Sequence, residues 1–141
     1  MQENNKKLGS QVLLFVVVFA IAFFGTKYAV AAFSGANNKL KKIALELNRR
    51  GPQLVDAETR LDSTTASGDT LRYHYTLVNR TSKDTTVNLV SAKEYITKQA
   101  QTNFDTNAQM SDLRAMKAKL KYEYKDKNGQ PLFNFTIAAN K

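Results

Sequence analysis

Asp56, Glu58, Arg60 and Asp62 place three carboxylates and a guanidinium within seven residues, the densest charge cluster beyond residue 50. Paired carboxylates perform acid–base chemistry when one is desolvated and keeps its proton while its neighbour stays ionised. On an extended strand, residues two apart share a face. Glu58, Arg60 and Asp62 therefore align, and Asp56 joins them if the strand begins early. A planar guanidinium with five donors engages two carboxylates at once. This favours a structural ion-pair ladder, with Arg60 held by Asp56 or Asp62 and Glu58 turned to water. The catalytic reading needs a cleft, and no cleft-forming motif accompanies the cluster.

The chain has one histidine, His74, and no cysteine. Thiolate metal sites are therefore impossible, and a site built on His74 would need an all-carboxylate partner set. No G-x-S-x-G nucleophile context, glycine-rich phosphate loop or dinucleotide fingerprint occurs. No catalytic, cofactor-binding or metal-ligating residue is expected. The tyrosines at 73, 75, 122 and 124 fit one shared face of a sheet. Lys119, Lys121 and Lys125 alternate on the opposite face and read as solvated.

The elements that must position these residues follow from periodicity. Leu40, Ile43, Ala44 and Leu47 mark an amphipathic helix over 38–50, stopped by Gly51-Pro52, whose stripe packs on its own domain. Alternation predicts strands over 58–65 and 70–78, joined by a turn at Ser67-Gly68-Asp69. Leu89, Ala92, Ile96, Ala100 and Phe104 recur at helical spacing, and a second short helix covers 107–117 with Ser111 as its cap. The final segment is a hairpin turning at Asn128-Gly129, with Phe133, Phe135 and Ile137 inward. The implied fold is α+β: a four-stranded antiparallel sheet in the order β-β-α-α-β-β, packed on helices.

The formal net charge is +9, but residues 1–50 hold eight basic and two acidic side chains, so most of the excess lies outside the folded domain. A nucleic-acid-binding domain carries its basic excess on its own folded surface, so no nucleic acid is expected as partner. The excess flanks an apolar run. Leu8–Thr26 is uncharged for 19 residues, about 28 Å as a helix and close to the thickness of a bilayer core. Lys6 and Lys7, the 13 apolar residues Val12–Phe24 and Ala29-Val30-Ala31 also match a cleaved signal peptide. Phe33 sits close behind that cut, and ANNKLKKIALELNRR continues the helical phase, which favours a retained anchor. The expected organisation is a basic tail (1–9), a transmembrane helix (10–33), a juxtamembrane amphipathic helix (34–50) and an α+β domain (51–141). Ala22, Gly25 and Ala29 have the small-residue spacing that lets membrane helices approach closely. Lys6, Lys7, Lys39, Lys41 and Lys42 would meet anionic lipid headgroups, at about 1 kcal/mol each.

PQLVDAETRLDS, YHYTLVN and YEYKDKNGQPLFNFTI together resemble a family of small bacterial exported or membrane-anchored α+β domains. The shared pattern is a V-D-x-x-T-R-L-D segment, a Y-x-Y-T-L strand and a terminal Y-x-Y…G hairpin, over about residues 50–138. Members of that family often carry a cysteine pair, which this chain lacks. The resemblance implies fold and export and no chemistry. A positive-inside count over the flanks leans towards a cytoplasmic C-terminal domain; the secretory look of the N-terminus and the resemblance point to the periplasm. The expected protein is a non-catalytic, single-pass subunit of the bacterial inner membrane, presenting a periplasmic domain to larger integral membrane proteins. The alternative is a cleaved, soluble periplasmic binding module or inhibitor. An enzyme using Asp56, Glu58 or Asp62 is a third reading.

Overall fold

The structure, a computed structural model, describes residues 35–85 and 88–140. Helix α1 (Ala36–Arg49) buries Leu40, Ile43, Ala44 and Leu47 along one stripe, as their spacing predicts. It ends at Gly51, whose φ of 68° is the left-handed conformation that glycine adopts without penalty. Three strands follow: β1 (Gln53–Leu54), β2 (Thr59–Ser67) and β3 (Thr70–Leu77). Helix α2 (Leu89–Thr106) starts at Asn88, whose side-chain oxygen accepts from the Val90 and Ser91 amides at 3.1 and 3.2 Å. A 3-10 turn (Ala108–Met110) and the short helix α3 (Ser111–Ala115) lead into β4 (Lys119–Asp126) and β5 (Pro131–Ile137). Asn107, not Ser111, caps this second helical piece, accepting from the Gln109 amide at 2.9 Å.

The strands form one sheet in the order β1-β2-β3-β4-β5. This corrects the expected four-stranded antiparallel sheet in two ways. The sheet has five strands, because β1 is a two-residue pairing too short to leave a periodic signal. It is also mixed: β3 and β4 run parallel, with Thr70 opposite Lys119 and Leu77 opposite Asp126. Residues 78–118 carry the chain, largely as helix, back to the end where β3 began. Such a crossover makes neighbouring strands parallel, whereas a tight turn would make them antiparallel.

Both long helices pack on one face of the sheet, α1 beside β2 and α2 beside β5. Beneath them, Tyr73, Tyr75, Tyr122, Tyr124, Phe133 and Phe135 form a stacked layer, with successive cross-strand ring centroids 4.6–5.2 Å apart. Ile96, Ala100 and Phe104 of α2 are fully buried. Burial of a side chain such as Phe104 contributes about 2–3 kcal/mol. At the other end, the Asn48 amide pairs with the Thr64 backbone in both directions, donating to its carbonyl and accepting from its N–H at 2.7 Å each. It satisfies β2 where β1 has already stopped, as a neighbouring strand would.

No helix among the described residues is long and apolar enough to cross a membrane. The helix expected at 10–33, with Ala22, Gly25, Ala29 and the flanking Lys6 and Lys7, lies outside the described residues. The placement as a single-pass inner-membrane protein is corrected accordingly: the described fold supplies no span. Its one long amphipathic helix near the N-terminus, α1, spends its apolar stripe on its own sheet.

Candidate functional site

With the helices on one side, the other face of the sheet is open and polar, and it holds Arg60, Asp62, His74 and the alternating lysines of β4. Its geometry is set by a bulge. Leu61 pairs with Tyr75 and Ser63 with His74, which leaves Asp62 as the extra residue in β2. The bulge shifts the alternation, so that Leu61 and Thr64 are both buried while Asp62 and Thr65 lie on the open face. Asp62 becomes a local hub. It accepts from Arg60 Nε at 2.6 Å and from the Thr76 hydroxyl at 2.5 Å, and Lys125 Nζ lies 3.9 Å away.

The charge cluster read as one ladder is three separate devices. Arg60 pairs with Asp62 at 2.6 Å, one of the two acids expected for it. Asp56 turns the chain between β1 and β2, accepting from the Glu58 and Thr59 amides at 2.6 Å each. Burial raises its pKa; those two amides pull the other way. Glu58 pairs with Arg80 at 3.3 Å, tying that turn to the segment after β3. The three carboxylates have different hydrogen-bond and ion-pair partners.

His74 stands on the open face, opposite in parity to Tyr73 and Tyr75, as alternation requires. Its Nε2 lies 3.1 Å from the Thr65 hydroxyl and its Nδ1 lies 3.1 Å from Glu123. Glu123 also meets Lys121 at 3.2 Å and Arg72 at 3.5 Å. Burial alone would raise the pKa of Glu123, but Lys121, Arg72 and His74 together hold it below the usual carboxylate range. Lys119 pairs with Asp69 at 3.0 Å, and the bonds from Lys119 and Thr70 lower the pKa of that acid. Arg72, Lys121, Glu123 and Lys125 were not singled out as site residues by the sequence. Their alternation was legible, but only the parallel β3–β4 register sets Arg72 beside Lys121 and His74 beside Glu123.

Two shallow hollows lie end to end on this face. One, of about 370 Å³, is lined by Thr65, Ser67, Arg72, Lys119, Lys121 and Thr136. The next, of about 330 Å³, is lined in part by His74, Glu123, Lys125, Asn134 and the hairpin residues Gly129 and Pro131, with Tyr75, Tyr124 and Phe133 also bordering it. They abut because Arg72–Lys121–Thr136 and His74–Glu123–Asn134 are successive rows across β3, β4 and β5. Among the described residues, no group of three or more metal-ligating side chains converges. Lys41 and Lys42 are exposed on α1 and Lys39 is partly covered, all away from this face.

A sequence-family profile described as a domain of unknown function, DUF8479, matches residues 34–133, from the start of α1 into β5. The expected resemblance to a domain family is met at that level. Its particular motif pattern is a separate matter on which the match is silent. No curated protein matches the chain. Among solved structures, a candidate secreted protein from Pseudomonas aeruginosa is 17% identical with a TM-score of 0.55, over 77% of this chain and 95% of that one. The type II secretion pilotin of Vibrio vulnificus is 10% identical with a TM-score of 0.59, over 74% and 88%. A second type II pilotin, from Vibrio cholerae, is 13% identical with a TM-score of 0.53, over 72% and 87%. At these identities the likeness is one of fold.

Proposed function

The chain belongs to the DUF8479 family, a domain of unknown function, and from that premise we propose that it is a non-catalytic binding module of the bacterial envelope, exported on its N-terminal segment and released there to hold a protein partner. One observation carries the reading. Over 72–77% of its length the chain has the fold of two secretion pilotins and a candidate secreted protein, and it spans 87–95% of those chains. The partner is taken to be a protein of an envelope assembly, by analogy with the secretion systems to which the pilotins belong. The arrangement of the polar groups supports binding over turnover. Both nitrogens of His74 are engaged, and Asp56, Glu58 and Asp62 are each tied to separate donors. Release rests on the 13-residue apolar stretch and the Ala29-Val30-Ala31 pattern behind it.

The test uses the native protein in its own cell. Intact mass is expected to show a mature chain beginning at Ala32, and photo-crosslinking from the open sheet face is expected to trap one envelope protein reproducibly. A mature chain that still carries residues 10–31 would sink the released form. Crosslinks spread over many abundant proteins would sink the binding module.

A further inference from the structure

The open sheet face carries more cation than its acids neutralise. Arg60, Arg72, Lys119, Lys121 and Lys125 lie on it, against Asp62 and Glu123 on the face and Asp69 at its rim. Glu123 alone is shared among Arg72, His74 and Lys121. The Nε of Arg72 is buried and makes no hydrogen bond among the described residues, its nearest acid being 3.5 Å away. The Arg72 side chain as a whole is 43% exposed, so an incoming carboxylate reaches the open part of the guanidinium, not the covered Nε, and adds a second acid to a group whose contact with Glu123 is long.

The spacing restricts what fits. Lys119, Lys121 and Lys125 occupy alternate positions of one strand, with Glu123 between the last two. Side chains two apart on a strand are about 6.6–6.8 Å apart, and an extended peptide presents its own alternate side chains at the same interval. The two hollows run along β4 from Lys119 to Lys125, a length of about 20 Å at 3.3 Å per residue, which seats a chain of about six or seven residues. The hollows are shallow and follow one strand, so the surface is an elongated trough. That shape suits a polypeptide better than a flat lipid surface.

We propose that the open face of the sheet binds an extended acidic segment of the partner protein, with carboxylates at the alternate positions one, three and seven meeting Lys119, the paired Arg72 and Lys121, and Lys125, and a neutral side chain over Glu123. This rests on the reading of the chain as a binding module and names the chemistry of its partner. Side-chain contacts of this kind are individually weak, about 0.2–1 kcal/mol when exposed, so affinity depends on several acting in register and falls with added salt.

Fluorescence anisotropy with the full chain tests this. The probes are a labelled heptapeptide with glutamate at the alternate positions one, three and seven and threonine elsewhere, the same residues with the three glutamates contiguous, and a version with lysine in place of glutamate. The alternating acidic peptide is expected to bind at least tenfold more tightly than either control, a difference of about 1.4 kcal/mol. Lys119→Glu should weaken that binding by tenfold or more. Lys121→Gln, which removes charge without reversing it, should weaken it several-fold in a chain whose circular dichroism is unchanged. Equal binding of the alternating and contiguous peptides, or wild-type affinity in both variants, would overturn the proposal. So would displacement of the peptide by millimolar inorganic phosphate, which would make this a free-anion site. Flotation with phosphatidylglycerol but not phosphatidylcholine vesicles, lost in the same variants, would reassign the face to a membrane and overturn it too. If Lys119→Glu still crosslinks to the same envelope protein as the wild type, the module reading stands and this surface assignment fails.

Discussion

Replacing Asn48 should detach the end of α1 from the sheet it covers. Its amide makes two bonds of 2.7 Å with the Thr64 backbone, where β2 has outrun β1 and has no strand on that side among the described residues. Each bond contributes about 0.5–1.5 kcal/mol net, and a buried backbone group left alone costs about 1–3 kcal/mol. Thr64 is 1% exposed, but Asn48 lies at the exposed end of its helix, so water can partly replace the lost amide. The loss on Asn48→Ala is therefore about 2 kcal/mol before propensity is counted. Alanine regains roughly 0.5 kcal/mol as the better helix former, leaving a net loss of about 1.5 kcal/mol. Asn48→Asp is the discriminating control. It keeps an acceptor for the Thr64 N–H but cannot donate to the carbonyl, and should lose about 1 kcal/mol. Urea unfolding of the full chain, followed by far-ultraviolet circular dichroism, measures both variants, with the denaturant slope unchanged. Amide hydrogen exchange should show Thr64 losing protection in Asn48→Ala. A loss below about 0.5 kcal/mol, within the range of ordinary surface changes, with Thr64 still protected, would refute the idea that this side chain closes the strand edge.

Tyr122 offers a test with the opposite sign. Its hydroxyl is buried without a hydrogen-bond partner among the described residues, and burial followed by the neighbouring Tyr73 and Tyr124 raises its pKa well above the usual value. Tyr122→Phe keeps the stacked ring and removes the orphaned oxygen, so thermal unfolding should show unchanged or higher stability, by up to about 1 kcal/mol; a loss of more than that would mean the hydroxyl has a partner. Asp126 governs the acid limb. Burial alone would raise its pKa, but the Gln130, Ser82 and Asn128 amides, donating at 2.9, 2.7 and 2.8 Å, hold it below its ordinary value of 3.8. A carboxyl whose folded pKa is depressed stabilises the fold fully above its unfolded value and loses that contribution as pH falls through the folded one. Asp126→Ala should therefore destabilise the protein at neutral pH and flatten the fall in stability below pH 3.8, as followed by urea midpoints across pH; an acid limb as steep as that of the wild type would refute this.

Local pattern was enough for much of this protein. The stripe Leu40, Ile43, Ala44 and Leu47, the alternation through Tyr73 and Tyr75, and the hairpin around Asn128-Gly129 each encode their own conformation, because side-chain period and turn chemistry act over a few residues. They placed the tyrosines of β3 and β4 on one buried face and His74 and the β4 lysines on the other. The same pattern could not show that Asp62 sits in a bulge, since a single inserted residue flips parity without changing composition. Nor could it show that Asp56 and Glu58 fall in the turn before β2, apart from Arg60 and Asp62 on the strand, which makes an apparent ladder into separate contacts. Nor could periodicity show whether β4 returns beside β3 in parallel or antiparallel sense. Strand direction depends on where the 78–118 crossover delivers the chain, which is settled by packing α2 beside β5 and not by any residue of β4. The open face with Arg72, His74, Lys121 and Glu123 in adjacent rows exists only because of that choice. Sequence determined which side chains turn away from the core; tertiary structure alone decided which of them meet, because their meeting depends on contacts between residues nearly fifty positions apart.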